Sequence, residues 1–352
     1  MENKFIKYGM MFMAVAAIGL AGCGKKEEVR NRIAIVGSST VFPFSSVVAE
    51  QFATSSGNQV PKVESTGTGG GMKIFCSSTG LSGVDITNAS RPMKKSEWDD
   101  CQKNGIKDII ELKIGYDGIV IADSKDGAEL NLSRKDIYLA LAKQVPIDGK
   151  LVDNPYKLWS DVNPALPKTK IEVMGPPPTS GTRDAFVELI MEKGAEEIPL
   201  LKALKEKDKD AFKAASTAIR EDGAWKDMGE NDNLIVQALT TNKEAYGIFG
   251  YSFYEENKDR LKAATIDGEI PELHKIIEGK YPASRSLYFY TKKANIPLIP
   301  SIKDYLLEFT SAKAAGEKGY LVSRGLIPLK AEDLAVQAKI AASQTTMAAP
   351  KE

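Results

Sequence analysis

Histidine is almost absent from this chain: His274 stands alone among 352 residues. A His-rich metal site is therefore excluded, and two thiols without nearby imidazoles make a poor zinc cage. The single histidine lies in Pro271–Ile277 (PELHKII), a helix-like stretch with no link to the glycine-rich turns, which argues against a Ser-His-Asp triad. No G-x-S-x-G elbow occurs either. A metal-dependent phosphatase would need clustered Asp, Glu and His, and no such cluster is visible. Net charge is missing too. Lys and Arg number 47, as do Asp and Glu, so no global field draws the chain to nucleic acid or to an anionic membrane surface. No apolar run reaches the ~20 residues that span a bilayer. The phosphate-loop pattern G-x-x-x-x-G-K-[ST] is absent, and no internal repeat of fixed period is found. Nothing in the sequence calls for a metal or a cofactor.

What is present begins at the N-terminus. Lys4 and Lys7 precede Met10–Leu20 (MMFMAVAAIGL), an apolar stretch, and Leu20-Ala21-Gly22-Cys23 leads through small residues into a cysteine. A basic start, a short apolar core and small residues make an export signal. A truncated anchor or buried helix is the alternative, but no second apolar segment offers it a partner. The run into Cys23 resembles the lipobox of bacterial lipoproteins. That implies a signal peptide over residues 1–23, lipidation of Cys23, a polar tether over 24–30, and a periplasmic or cell-surface protein anchored to the membrane. Without Met1–Cys23, which holds Glu2, Lys4 and Lys7, 45 basic and 46 acidic residues remain. Only Cys76 and Cys101 are then left as cysteines, and an even pair in an exported protein favours a disulfide. Two separately buried thiols are the alternative.

With 43% hydrophobic residues the chain has material for ordinary cores, and its length suits two domains or lobes. Val29–Val36 ends as a strand, a Gly-Ser-Ser-Thr turn follows, and Phe42–Phe52 has helical spacing. Val60–Glu64 and Val84–Thr87 read as further strands, each followed by a turn and a helix. This alternation predicts an α/β fold with open, largely parallel sheets, in which ligands sit beyond the carboxyl ends of the strands. Ile109–Ala122 and Ser286–Thr291 are strand-rich runs without an intervening helix, as a pair of interlobe crossovers would be. The chain is therefore divided into lobe 1 (31–116 and 289–342), lobe 2 (117–288) and a frayed tail (343–352). Two sequential domains are the alternative. In the middle region Lys168–Met174 reads as a strand, Thr182–Lys193 as a helix, and Lys202–Ala218 as one charged helix.

Three segments share one design, a strand, then Ser/Thr/Gly, then the first turn of a helix: Gly37–Phe42 (GSSTVF), Ser65–Lys73 (STGTGGGMK) and Thr179–Ala185 (TSGTRDA). Helix N-termini carry unsatisfied N–H groups and partial positive charge, hydroxyls add donors, and glycine admits a ligand close to the backbone. Any one such loop is as well explained by ordinary capping. Three at strand ends point to a small oxyanion.

Val36–Phe44 (VGSSTVFPF), Ser65–Lys73, Asp85–Met93 (DITNASRPM), Gly115–Ile119 (GYDGI) and Gly175–Phe186 (GPPPTSGTRDAF) together resemble the phosphate-binding subunit of bacterial phosphate ABC importers. The resemblance implies a two-lobed periplasmic-binding-protein fold that binds inorganic phosphate in the interlobe cleft and hands it to a membrane permease, with no chemistry on the ligand. By motif, the site would hold Ser39, Thr40, Thr68, Ser90, Arg91, Ser180, Gly181, Thr182 and Arg183. Two departures stand out. Asn88-Ala89-Ser90-Arg91 occupies the stretch where the family often has an aspartate, and Pro176–Pro178 replace an arginine before the Ser-Gly-Thr turn. Arg91 and Arg183 are expected to supply the positive charge instead, since guanidinium matches oxyanion geometry. Asp117 is a candidate acceptor for a phosphate proton, and a turn role for it is equally open. Another oxyanion, sulfate or a phosphonate, is the alternative ligand. A secreted phosphatase on the same scaffold is the rival from another class. The protein is expected to act as a monomer.

Overall fold

The computed structural model describes residues 30–229 and 231–351; the export signal, Cys23 and the tether up to residue 29 lie outside the described residues. The first part of the chain alternates as its pattern predicts: β1 (Ala34–Gly37), α1 (Phe42–Ser56), β2 (Lys62–Ser65), α2 (Thr68–Phe75), β3 (Ile86–Ala89) and α3 (Lys95–Lys103). β1 pairs parallel with both β2 and β3. β4 (Ile109–Ser124) then runs through the molecule. Its near-continuous apolar sequence is that of a strand buried on both faces, and Ile109, Ile110, Leu112, Ile119 and Val120 are fully buried. At ~1.5–3 kcal/mol for each aliphatic side chain taken from water, this strand alone anchors a large share of the core.

The second part carries β5 (Val173–Gly175), the helical run α4 (Gly181–Phe186), a π-helical turn (Val187–Met191) and α5 (Glu192–Glu196), then α6 (Pro199–Lys207), α7 (Lys209–Thr217) and β6 (Trp225–Asp227). α8 (Asp232–Thr241), β7 (Tyr246–Gly250) and β8 (Leu261–Ala263) follow. β9 (Ser284–Lys292) returns the chain to the first part, which α9 (Ser301–Phe309) and α10 (Ala331–Ser343) complete.

Among the described residues nine strands form one curled sheet in the order β2-β1-β3-β9-β4-β7-β5-β6, with β8 on β4. The fold is two-lobed because β4 changes partners midway. Ile109–Gly118 pair antiparallel with β9, whereas Ile119–Ala122 pair antiparallel with β7. Each lobe thus has parallel strands at its outer side (β2, β1 and β3; β7, β5 and β6) and shares the central antiparallel pair. Within the stretch paired with β9, position 115 needs glycine. Its φ of +154° is unfavourable for L side chains, and a Cβ there would stand 2.6 Å from the Ile327 carbonyl oxygen. The register shift in β9 falls beside it, between Leu287 and Tyr288.

Cys76 and Cys101 form a disulfide that ties the end of α2 to α3, inside a small core with Met72, Phe75, Met93, Ile106, Ile109 and Tyr290. Two expectations are corrected. The charged segment Lys202–Ala218 is two helices, since Asp208 turns its carboxylate onto the amides of Asp210 (3.1 Å) and Ala211 (2.9 Å) and caps α7. The tail is tied down at Met347, whose amide donates to the Ile109 carbonyl at 2.8 Å and whose side chain packs on the disulfide core. Among the described residues no helix is long and apolar enough to cross a membrane.

Candidate functional site

Several segments meet where the two lobes face each other. The β1–α1 turn supplies Ser39 and Thr40. Ser38 sets this turn, its amide bonded to the Asn88 carbonyl (2.9 Å) and its carbonyl to the Phe42 amide (3.0 Å). Thr40 is buried with its hydroxyl inward, while Ser39 is half-buried. The second turn opens α2 at Thr68 behind a positive-φ Gly67 that offers no capping side chain, so the first-turn amides keep their donor capacity. Thr68 Oγ1 lies 3.0 Å from Ser90 Oγ and accepts the Ser90 amide at 3.1 Å, which fixes the residue after β3. From the other lobe, the β5–α4 turn supplies Ser180, Gly181 and Thr182, with Ser180 Oγ accepting the Thr182 amide at 3.2 Å.

The two lobes touch at this point. Thr40 Oγ1 donates to the Gly181 carbonyl across the cleft at 3.4 Å. A Cβ on Gly181 would stand 3.0 Å from both the Ser39 carbonyl oxygen and Thr40 Cα. Beside this contact a cavity of about 430 Å³ opens between Thr40, Asp117, Ser180, Gly181, Thr182 and Arg324.

The buried cation of this region is Arg285. It stands at the start of β9, directly opposite Asp117 on β4, and its side chain is only 7% exposed. The guanidinium reaches both lobes. Nη2 donates to Thr40 Oγ1, and Nη1 donates to Ser90 Oγ at 3.2 Å and to Glu188 Oε2 at 2.6 Å. Nε lies 3.5 Å from Asp117 Oδ2, an ion-pair distance without hydrogen-bond geometry. Burial pushes the Asp117 carboxyl above the usual carboxylate range; Arg285 pulls it back and Glu188 adds to the rise.

The two arginines expected to carry the charge, Arg91 and Arg183, are paired with other groups in this structure. Arg91 forms a bidentate pair with Glu97 (2.9 and 2.7 Å), and Glu97 also accepts the Lys94 amide at 2.9 Å at the start of α3. Helix capping and ion pairing thus commit the guanidinium to Glu97. Arg183 donates to the Pro176 carbonyl (2.9 Å) and Asp227 (3.1 Å) while lying over the Trp225 ring at 4.4 Å. Trp225 Nε1 donates to the same Asp227 oxygen at 2.7 Å, so Arg183 buttresses the turn from behind. The structure brings Thr40, Thr68, Ser90, Ser180, Gly181 and Thr182 into one neighbourhood, with Ser39 at its edge.

Sequence reasoning missed Arg285 and Glu188. Arg285 shows only through its register with Asp117 across two distant strands, and Glu188 only through the helical turn that aims it back at the cleft. His274 sits on a short helix, largely exposed and 3.7 Å from Glu272, away from this site. Among the described residues no group of three or more His, Cys, Asp or Glu is placed to hold a metal.

Hydroxyls, helix-start amides and a buried guanidinium converging between two α/β lobes make a cleft suited to a small oxyanion, the arrangement of a solute-binding protein. Comparison with known proteins agrees. The model of the PBP superfamily domain matches residues 24–313. The chain is similar to Protein SphX of Synechococcus elongatus, 31% identical over 92% of this chain and 86% of that one. It is also similar to the phosphate-binding protein PstS of Staphylococcus saprophyticus, 33% identical over 86% of this chain and 83% of that one. Among solved structures, a possible phosphate binding protein from Planctomyces limnophilus matches with a TM-score of 0.69 at 27% identity, covering 90% of this chain and 99% of that one. An ABC-type phosphate transport receptor from Vibrio cholerae, 18% identical with a TM-score of 0.55, covers 85% of this chain and 100% of that one and shares the fold. The chain belongs to the PBP superfamily and, within it, to the family of the phosphate-binding proteins.

Proposed function

We propose that this protein binds inorganic phosphate between its lobes and delivers it to the permease of an ABC importer, performing no chemistry on it. The observation that carries the reading is Arg285, a buried guanidinium that reaches the hydroxyls of Thr40 and Ser90 in the first lobe and Glu188 in the second. A doubly charged oxyanion loses much hydration on entering, so many donors must converge before binding wins. Here the donors are Thr40, Thr68, Ser90, Ser180, Thr182, the amides around Gly181, and Arg285, with Ser39 at the rim. Asp117, buried and with Oδ2 lacking a hydrogen-bond partner among the described residues, is the acceptor for a phosphate proton. Arg91 and Arg183 support the site by holding their loops.

An anion held by both lobes favours the closed arrangement over the open one by its differential affinity, and this shifts the population. Cys23 anchors the protein by its lipid outside the cytoplasm, and it works as a monomer. The relatives named as binding proteins support a carrier over a phosphatase. Calorimetric titration with phosphate, arsenate and sulfate tests the reading: one phosphate or arsenate binds per chain, and sulfate binds much more weakly. Absence of phosphate binding, or turnover of a chromogenic phosphate ester, overturns it.

A further inference from the structure

Glu188 has no role in the reading so far, yet it touches the centre of the site. It lies on the π-helical turn that continues the helical run from Ser180. From the second lobe its carboxylate reaches Arg285 Nη1 at 2.6 Å, the same nitrogen that donates to Ser90 of the first lobe. Asp117 flanks the guanidinium from β4. Among the described residues Arg285 is the one cation in ion-pair contact with Glu188. Of the other charges near it, Arg91 is committed to Glu97, and Glu192, one turn further along the helix, is a like charge. One buried cation thus faces two carboxylates before any ligand charge is counted.

An oxyanion that uses Arg285 must displace Glu188 or share the guanidinium with it. A fully deprotonated tetrahedral anion then meets like charge from both Glu188 and Asp117, in a site where burial strengthens that repulsion. An oxyanion that keeps a proton can donate it to a carboxylate and gain a charge-assisted hydrogen bond instead. Resting on the oxyanion reading above, we propose that Glu188 is a specificity-determining residue: it competes with the ligand for Arg285 and penalises oxyanions that have no proton to donate. Specificity here comes from a repulsive element as much as from attractive ones.

The test is calorimetric titration of the wild type, Glu188→Gln and Glu188→Asp with phosphate and with sulfate at neutral pH. Glu188 is half-exposed, with a side-chain exposure of 49%, so neither variant threatens the core, and thermal unfolding verifies this. In Glu188→Gln, sulfate binding tightens and the phosphate-to-sulfate preference contracts by about tenfold or more, the scale of one charged hydrogen bond. Glu188→Asp keeps the charge and most of the preference. A preference within about threefold of wild type in Glu188→Gln, or an equal contraction in Glu188→Asp, overturns the assignment. A wild type that binds neither anion overturns the oxyanion reading, and the inference falls with it; a wild type that selects phosphate beside an unchanged Glu188→Gln overturns the inference alone.

Discussion

Replacing Arg285 is the sharpest perturbation the structure offers. The guanidinium donates to Thr40, Ser90 and Glu188 and lies beside Asp117, so Arg285→Ala removes the ligand's cation and leaves two carboxylates facing the cleft. A lost hydrogen bond to a charged group costs ~1.5–3 kcal/mol, and stripping one partner from a buried ion pair costs ~3–5 kcal/mol. At 1.4 kcal/mol per factor of ten, phosphate affinity falls roughly a hundred- to a few-thousand-fold. Arg285→Lys keeps the charge and loses the planar fork that reaches both lobes at once, so it falls between wild type and Arg285→Ala. Arg91→Ala is the control, because Arg91 is spent on Glu97, and it binds phosphate within about threefold of wild type. Calorimetric titration of the three variants, with thermal unfolding to confirm that each is folded, gives the ranking. Near-wild-type affinity in Arg285→Ala beside a hundredfold loss in Arg91→Ala would refute the reasoning and return the cation to the position the motif suggested.

Three further outcomes follow from the same geometry. Gly181→Ala places a methyl 3.0 Å from Ser39 and Thr40, an overpacking of ~1–3 kcal/mol that opposes closure; phosphate affinity drops roughly five- to a hundredfold with thermal stability unchanged, and equal affinity would mean the lobes close without this contact. Reducing the Cys76–Cys101 bridge, or Cys101→Ser, lowers stability by ~3 kcal/mol in the chain-entropy account while phosphate affinity holds, as urea unfolding and titration would show. Asp123 is buried, with Oδ2 lacking a hydrogen bond among the described residues and Lys262 3.9 Å away, and burial pushes its carboxyl up to about 7. Its folded value lies above its unfolded one, so the folded state binds the extra proton and stability is lost as pH rises from about 4 to about 7. Asp123→Asn flattens that part of the urea-unfolding profile, and an unchanged pH slope would remove Asp123 as its source.

The parts of the fold that were legible are those written locally. Strand, Ser/Thr/Gly turn and helix follow one another within a few residues, so the Ser39–Thr40, Thr68 and Ser180–Thr182 turns could be placed at strand ends from sequence alone. The central strand was legible because a helix-free apolar run such as Ile109–Ala122 suits a strand buried on both faces. Charge placement was not local. Arg91 and Arg183 sit in the expected loops, and Glu97, Asp227 and Trp225 engage them; which way a guanidinium turns depends on partners brought in by folding. Arg285 reaches the site only because β9 pairs with β4 in the register that sets it opposite Asp117. Pairing between strands so far apart in the chain leaves no trace in the residues around either.

A crystal structure of residues 24–352 with phosphate, refined beside one with the Arg285→Ala variant, tests the central claim most directly. The account predicts one phosphate in the interlobe cleft within hydrogen-bond reach of Arg285, Thr40, Ser90 and the Ser180–Thr182 turn, and no ordered phosphate there in the variant. Phosphate bound at Arg91, or held by one lobe alone with Arg285 still closed on Glu188, would contradict it.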